Sequence, residues 1–285
     1  MCVVALKYFN SLGWVGVKNR DRNYKPIIHI KQSFRRGLER LYLLDEKTKY
    51  TEGLNEFGVC ILSAALATKK DEKEGTTKVR ERENFSSPDG KKIRTALFEK
   101  TVEKALDKLI ESELPGNTIV FDKENAFLLE GAKDRKNIYK SKVLEIPKDE
   151  IIVRTNHGVL IPWSGYQGKD NFESRKSSET RKAQAEKDLS QIKDYKQMLD
   201  CISNTESDNP QLNPLRLDSR RKALTTTGQI MLVPNELTLH YRPIWCNIHF
   251  DFDKLNSKKS KTYFQVLSSR EIMKQGFQVA KYLSR

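Results

Sequence analysis

The sequence predicts an α+β fold built on mainly antiparallel sheets. Three observations carry this. Short apolar, β-branched runs bounded by turn residues outnumber helical patterns. Most of these runs follow one another through short turns, a connection that antiparallel neighbours allow and parallel ones do not. Only two stretches read as helices, Thr95 to Glu111 and Ser177 to Ile202.

Cys2 to Tyr8 is apolar and β-branched and reads as a strand. Gly13 marks a turn, and Trp14-Val15-Gly16-Val17 begins a second strand that runs straight into Lys18-Asn19-Arg20-Asp21. Tyr50 to Leu66 reads as a polar turn leading into a buried strand. Residues 68–92 carry charges of both signs and few apolar side chains, the pattern of a solvated insertion. Thr95 to Glu111 is amphipathic, with Ala96, Leu97, Val102, Ala105, Leu106, Leu109 and Ile110 at helical steps, and Pro115-Gly116 stops it. Strand-like runs follow at 118–121, 126–129, from 142, and at 151–153. After the helical pattern from Ser177, three more runs begin at Gln229, Leu237 and Trp245. The order is ββ, β, α, ββββ, α, βββ. No internal repeat is visible, and residues 1–285 read as one domain.

Composition narrows the function. Lys and Arg number 52 against 38 Asp and Glu, a net charge of +14, which raises the question of a nucleic-acid or other anionic partner. No run of about 18 apolar residues predicts a membrane span. The start, MCVVALKYFN, lacks the basic region and cleavage site of a secretory signal. Cys2, Cys60, Cys201 and Cys246 are scattered, which fits a reducing cytoplasm and neither a disulfide framework nor a cysteine zinc site. Cys60, between Val59 and Ile61, reads as a small buried hydrophobe. His29, His240 and His249 have no metal-ligand spacing, so neither metal nor cofactor is expected.

Cys2 is the informative residue. Met1 is removed from chains whose second side chain is small, which would leave Cys2 at the terminus. A terminal cysteine carries a thiol and an α-amine of pKa roughly 7.7–8.0 on one residue, a nucleophile with its own base. Two antiparallel strands bring Lys18 to Asp21 back beside it. A carboxylate there, Asp21, would hold the amine or thiol, and a cation, Lys18 or Arg20, would favour the thiolate.

These residues resemble the N-terminal-nucleophile hydrolase superfamily of the choloylglycine hydrolase and acyl-coenzyme A:isopenicillin N acyltransferase type, whose chains open on a nucleophilic Cys followed by R-N-x-D. The motif here is Lys18-Asn19-Arg20-Asp21, with Lys18 in place of the usual arginine, and Asn-Arg-Asp is also similar to the NRD motif of relatives in the superfamily. Four further segments match in order across about residues 2–245. They are Tyr50 to Gly58 with Asn55, Pro115 to Asp122 followed by Ala126 to Glu130, Arg154 to Gly158 with Asn156, and Ser177-Ser178 to Arg181. The resemblance implies a four-layer αββα sandwich. It also implies a cysteine amide hydrolase or acyltransferase working on an acyl-amide, small or peptide-like, through a thioester. Asn156 is its first oxyanion donor and Asn55 the second, a side-chain amide being a donor that does not titrate. Arg181, His157 and Trp163 become substrate-binding candidates.

Each residue also has a plainer reading. Asn55 and Asn156-His157-Gly158 suit turns. His157 and Arg181 suit structural or surface roles, Ser177-Ser178 a helix cap, and Trp163 to Tyr166 simple packing. Two other functions compete. The basic excess suggests a non-catalytic binder of nucleic acid or another anion, although Arg35-Arg36, Arg220-Arg221-Lys222 and Ser257 to Lys261 equally read as solvated surface. A terminal cysteine also suits a glutamine amidotransferase-type glutaminase, which would need a partner domain.

Overall fold

The computed structural model describes residues 2–66, 87–134, 138–165, 172–218, 223–252 and 260–267. Among them fourteen strands form two sheets. The first has the order β10-β1-β2-β11-β12-β14 and the second β13-β3-β4-β5-β6-β7-β8-β9, where β1 is Cys2–Phe9, β2 Gly13–Arg22, β3 Ile27–Arg35, β4 Leu38–Asp45, β5 Thr51–Asn55, β6 Cys60–Ala64, β7 Gly116–Phe121, β8 Ala126–Lys133, β9 Tyr139–Glu145, β10 Ile152–Arg154, β11 Thr225–Val233, β12 Thr238–Pro243, β13 Asn247–Phe252 and β14 Tyr263–Val266. All pairings are antiparallel except β13 with β3 and β12 with β14. No helix among the described residues is long and apolar enough to cross a membrane.

Strand alternation builds the layers. Even positions of β1 and β2 and their counterparts in the second sheet face each other. Cys2, Val4, Leu6 and Trp14 meet Leu41, Leu43, Leu54, Leu62, Ile119, Phe121 and Leu128 in the core between the sheets. Odd positions such as Val3, Ala5, Val15 and Val17 face Ala185, Leu189, Met198 and Leu199 of two helices, α3 (Phe172–Gln191) and α4 (Met198–Cys201). The far face of the second sheet packs Tyr42, Ile61 and Val120 on Ile93, Ala105 and Leu109 of α1 (Ser87–Ala96) and α2 (Val102–Glu111). The result is helix, sheet, sheet, helix: the αββα sandwich expected.

Several elements differ from the sequence reading. Thr95 to Glu111 is not one helix. Ala96-Leu97 and the Val102, Ala105, Leu106, Leu109 stripe are out of helical phase, and Thr101 takes an extended conformation and caps α2 by accepting from the Lys104 amide. Residues 87–92, read as part of the charged insertion, belong to α1, whose Asp89 is buried. The rest of that insertion lies outside the described residues, as do Tyr166, Arg220-Arg221-Lys222 and positions 257–259 of the last basic cluster. The helix from Ser177 starts earlier and stops at Gln191, after which Asp194 caps a short turn leading into α4. Tyr50 to Leu66 holds two strands, not one. The β3–β4 hairpin has no counterpart in the sequence reading, and Arg36 and Gly37 both take positive φ at its tip, the geometry of a tight primed turn.

Candidate active site

Cys2 opens β1 and lies opposite Arg20 of β2, so the two side chains share the inter-sheet face. Lys18, Arg20 and Arg22 alternate along that face and are all buried. Their counter-charges come from the opposing sheet. Glu52 of β5 pairs with the Lys18 ammonium and, at 2.9 Å, with Arg20. Asp45 at the end of β4 lies 3.1 Å from Arg22 Nε and 3.7 Å from Arg20. The Tyr24 hydroxyl donates to Asp45 at 2.9 Å. The Lys18 ammonium also donates to the Ser63 carbonyl and sits 4.9 Å from the centre of the Tyr50 ring. Three cations thus face two carboxylates, and a Cys2 thiolate would complete the balance.

The electrostatics follow from this count. Burial, the largest influence on the Cys2 thiol, pushes its pKa up. The Lys18 ammonium and Arg22 are among the positive charges that outweigh it, and the thiol is drawn down to about 6. Burial likewise lowers Lys18, partly offset by Cys2, to about 7. The other thiols go the opposite way. Burial raises Cys60 well above the ordinary range, Cys201 to about 11, and Cys246 as well.

The Cys2 backbone nitrogen has a side-chain partner. β10 leaves its pairing with β1 at Arg154, and two residues later Asn156 returns, its Oδ1 accepting from Cys2 N at 2.9 Å. Asn156 Nδ2 donates to the Ala65 carbonyl. Those partners fix the amide orientation, since an N–H needs the oxygen and a carbonyl needs the NH2. Part of the Asn156 amide is thus committed. It holds the Cys2 nitrogen, and the Ala65 carbonyl engages one of its two N–H bonds.

Ser178 of α3 supports this turn. Its Oγ accepts from the Asn156 amide at 3.0 Å and lies 2.7 Å from Thr155 Oγ1 and 2.9 Å from His157 Nδ1. Asn117 Nδ2 donates to the Thr155 and His157 carbonyls at 3.0 and 3.3 Å. Burial lowers the His157 pKa, which leaves a neutral ring in this network and not an exposed substrate contact. Ser177 and Ser178 sit inside α3 and do not cap it.

Three other expectations are corrected by position. Asp21 is an odd residue of β2 and faces the helices. Its carboxylate accepts from Arg181 at 2.6 Å and Thr226 at 2.8 Å, with Arg216 at 3.8 Å, and no contact with Cys2 is among them. Arg181 is accordingly buried against Asp21 and the Asn213 carbonyl. Asn55 is a turn residue. Its Oδ1 accepts from Phe57 and Val59, and its Nδ2 donates to the Leu97 and Glu99 carbonyls on the helix side of the second sheet. The residues missed were Glu52, Asp45 and Arg22, while Ser178 figured in the sequence only as part of a matching segment and a helix cap. Charges at alternate positions 18, 20 and 22 of an apolar strand were the one local signal, since a buried row of cations demands carboxylates opposite.

Trp163, 38% exposed, belongs to the 158–165 loop beside Asn156. Buried Glu130 anchors that loop, accepting from the amides of Val159, Leu160 and Ile161 at 2.8–2.9 Å and from Ser164 Oγ at 3.1 Å. Glu130→Ala strands these donors, and unfolding in urea should show a loss of about 2–3 kcal/mol. Hydrogen exchange should rise first at residues 158–165. Unchanged protection there would show that the loop is held by other contacts.

No family model matches the sequence, and no curated protein matches it. Among solved structures the chain is similar to a mutant of the conjugated bile acid hydrolase from Clostridium perfringens, with a TM-score of 0.45 and 12% identity over 85% of this chain and 89% of that one. It is also similar to penicillin V acylase from Agrobacterium tumefaciens, with a TM-score of 0.49 and 10% identity over 93% and 95% of the two chains.

Proposed function

We propose that this chain, once Met1 is removed, is an N-terminal cysteine amidohydrolase of the choloylglycine hydrolase and isopenicillin N acyltransferase type, acting on an acyl-amide bond. One observation carries the reading. The Cys2 nitrogen is held by Asn156 Oδ1 at 2.9 Å, while the Cys2 thiol shares its buried face with Lys18, Arg20 and Arg22. The nitrogen that becomes the α-amine once Met1 is removed and the thiol beside it thus each have a fixed partner, as an N-terminal nucleophile requires.

In the proposed reaction the α-amine takes the thiol proton, and the thiolate attacks the acyl carbon. A C–S bond forms and the carbonyl oxygen takes the charge. The remaining Asn156 N–H is the donor suited to that oxygen. Collapse breaks the C–N bond, and the α-ammonium gives its proton to the leaving amine. Water then attacks the thioester, with the amine taking a proton from it and the thiol leaving. An acceptor amine in place of water would make the same site an acyltransferase. In this reading the loop bearing Trp163, which follows Asn156 in the chain, supplies one wall for the acyl group.

A panel of N-acyl amides incubated with excess hydroxylamine tests this. The expected result is release of the amine together with an acyl hydroxamate from the trapped thioester. Folded, Met1-free protein that gives neither product across the panel would remove the hydrolase reading. Hydroxamate formed from glutamine alone would move the assignment to a glutaminase.

A further inference from the structure

On the far face of the second sheet, turned away from Cys2, four arginines gather with Arg40 at their centre, two of them on the ring of Phe98. Arg35 and Arg36 are exposed at the tip of the β3–β4 hairpin, Arg40 is buried further along β4, and Arg94 stands in the last turn of α1. The Arg40 guanidinium lies 3.6 Å from the centre of the Phe98 ring, and Arg36 lies 5.2 Å from the same ring. Arg40 donates to the Arg94 carbonyl at 2.9 Å and to Ser33 Oγ at 3.1 Å, while its buried Nε has no acceptor. Arg94 donates to the Lys49 carbonyl at 2.8 Å and to Thr51 Oγ1 at 2.7 Å. Every one of these acceptors is neutral. Among the described residues no ion pair joins any of the four arginines to a carboxylate.

That arrangement is costly as it stands. Burial lowers the Arg40 pKa most, and Arg35, Arg94 and Arg36 add to it against the opposing Tyr42, bringing it to about 10. Burial lowers Arg94 as well. Arg40 has a structural use, because it closes the last turn of α1, where a cation suits the helix dipole. Capping accounts for Arg40. It gives no reason for Arg35 and Arg36 to crowd it without a counter-charge.

We infer that Arg35, Arg36, Arg40 and Arg94 form a binding site for a phosphate-type oxyanion carried by a small ligand. Guanidinium forks match phosphate oxygens in pairs, and an oxyanion relieves the mutual repulsion of the four. A small ligand fits better than a nucleic-acid strand, because the charges cluster around the one guanidinium of Arg40, and the two rings it touches, Phe98 and Tyr42, are occupied by it and not by bases. The site lies on the opposite side of the second sheet from Cys2 and is independent of the amide chemistry.

Thermal unfolding with inorganic phosphate, compared with chloride at equal ionic strength, tests the site. Wild-type protein should show a saturable rise in Tm specific to phosphate. The Arg35→Ala/Arg36→Ala variant changes only exposed side chains, and its phosphate affinity should fall at least ~10-fold. Cys2→Ala should bind phosphate as wild type does. No phosphate-specific rise in the wild type, or an equal rise in the double variant, would overturn the assignment. Displacement of phosphate by a single-stranded oligonucleotide with a steep salt dependence would overturn the small-ligand form and make the patch a nucleic-acid surface.

Discussion

Cys2→Ala is expected to abolish amide turnover and neutral-pH thiol labelling together while leaving the protein folded. Loss of a nucleophile typically costs on the order of 10⁴–10⁶ in kcat. Removing the thiolate leaves three cations facing two carboxylates, but Lys18, drawn down to about 7, can give up its proton to restore the balance, so the protein should stay folded. Labelling is a clean readout because burial raises the pKa of Cys60, Cys201 and Cys246, while Cys2 alone is lowered. An iodoacetamide-type reagent at pH 7 should therefore modify one site. Measured kcat within tenfold of wild type in Cys2→Ala would remove Cys2 from the mechanism.

Lys18 gives the second large effect. With the thiol near 6 and Lys18 near 7, alkylation should reach half its maximum about pH 6. Lys18 loses its proton as pH rises through about 7, so its support for the thiolate fades above that point. In Lys18→Met the leading cation is gone, and the midpoint should rise toward the ordinary thiol value of ~8.5. Lys18→Arg keeps a cation that does not titrate in this range, and should return the midpoint toward 6. A merely structural Lys18 would leave the midpoint in place in both variants.

The same charge count separates Lys18 from Glu52. Lys18→Met leaves two cations facing two carboxylates, balanced once the thiol is neutral. Glu52→Gln leaves three cations facing Asp45 alone, all buried. Breaking a buried pair in this way costs about 3–5 kcal/mol, and urea unfolding should rank Glu52→Gln well below Lys18→Met. Equal stability of the two would mean that water or another group already screens the cluster.

How much of this was legible depended on sequence distance. Cys2 and the Lys18 to Asp21 run sit on adjacent strands joined by a short turn, so their proximity follows from local pattern. Even here period two carried more than was taken from it. If Arg20 shares a face with Cys2, Asp21 must point the other way, toward Arg181. Glu52, Asp45 and Ser178 lie 32, 23 and 22 residues from Arg20, Arg22 and Asn156, the partners they meet, and no single-sequence periodicity reports pairing between elements so separated. Asn55 suited a turn and an oxyanion role equally by composition, and its four hydrogen bonds resolve it as a turn. The net charge of +14 offered no address for its excess, of which the described residues place three cations in the buried row beneath Cys2 and four arginines in the cluster centred on Arg40.

The most direct test of the central claim is intact and peptide mass spectrometry of catalytically active protein treated with a thiol-reactive acyl probe. The account predicts a chain beginning at Cys2 and a single adduct mapped to that residue. Active protein that retains Met1, or an adduct at Cys60, Cys201 or Cys246 with Cys2 unmodified, would contradict it.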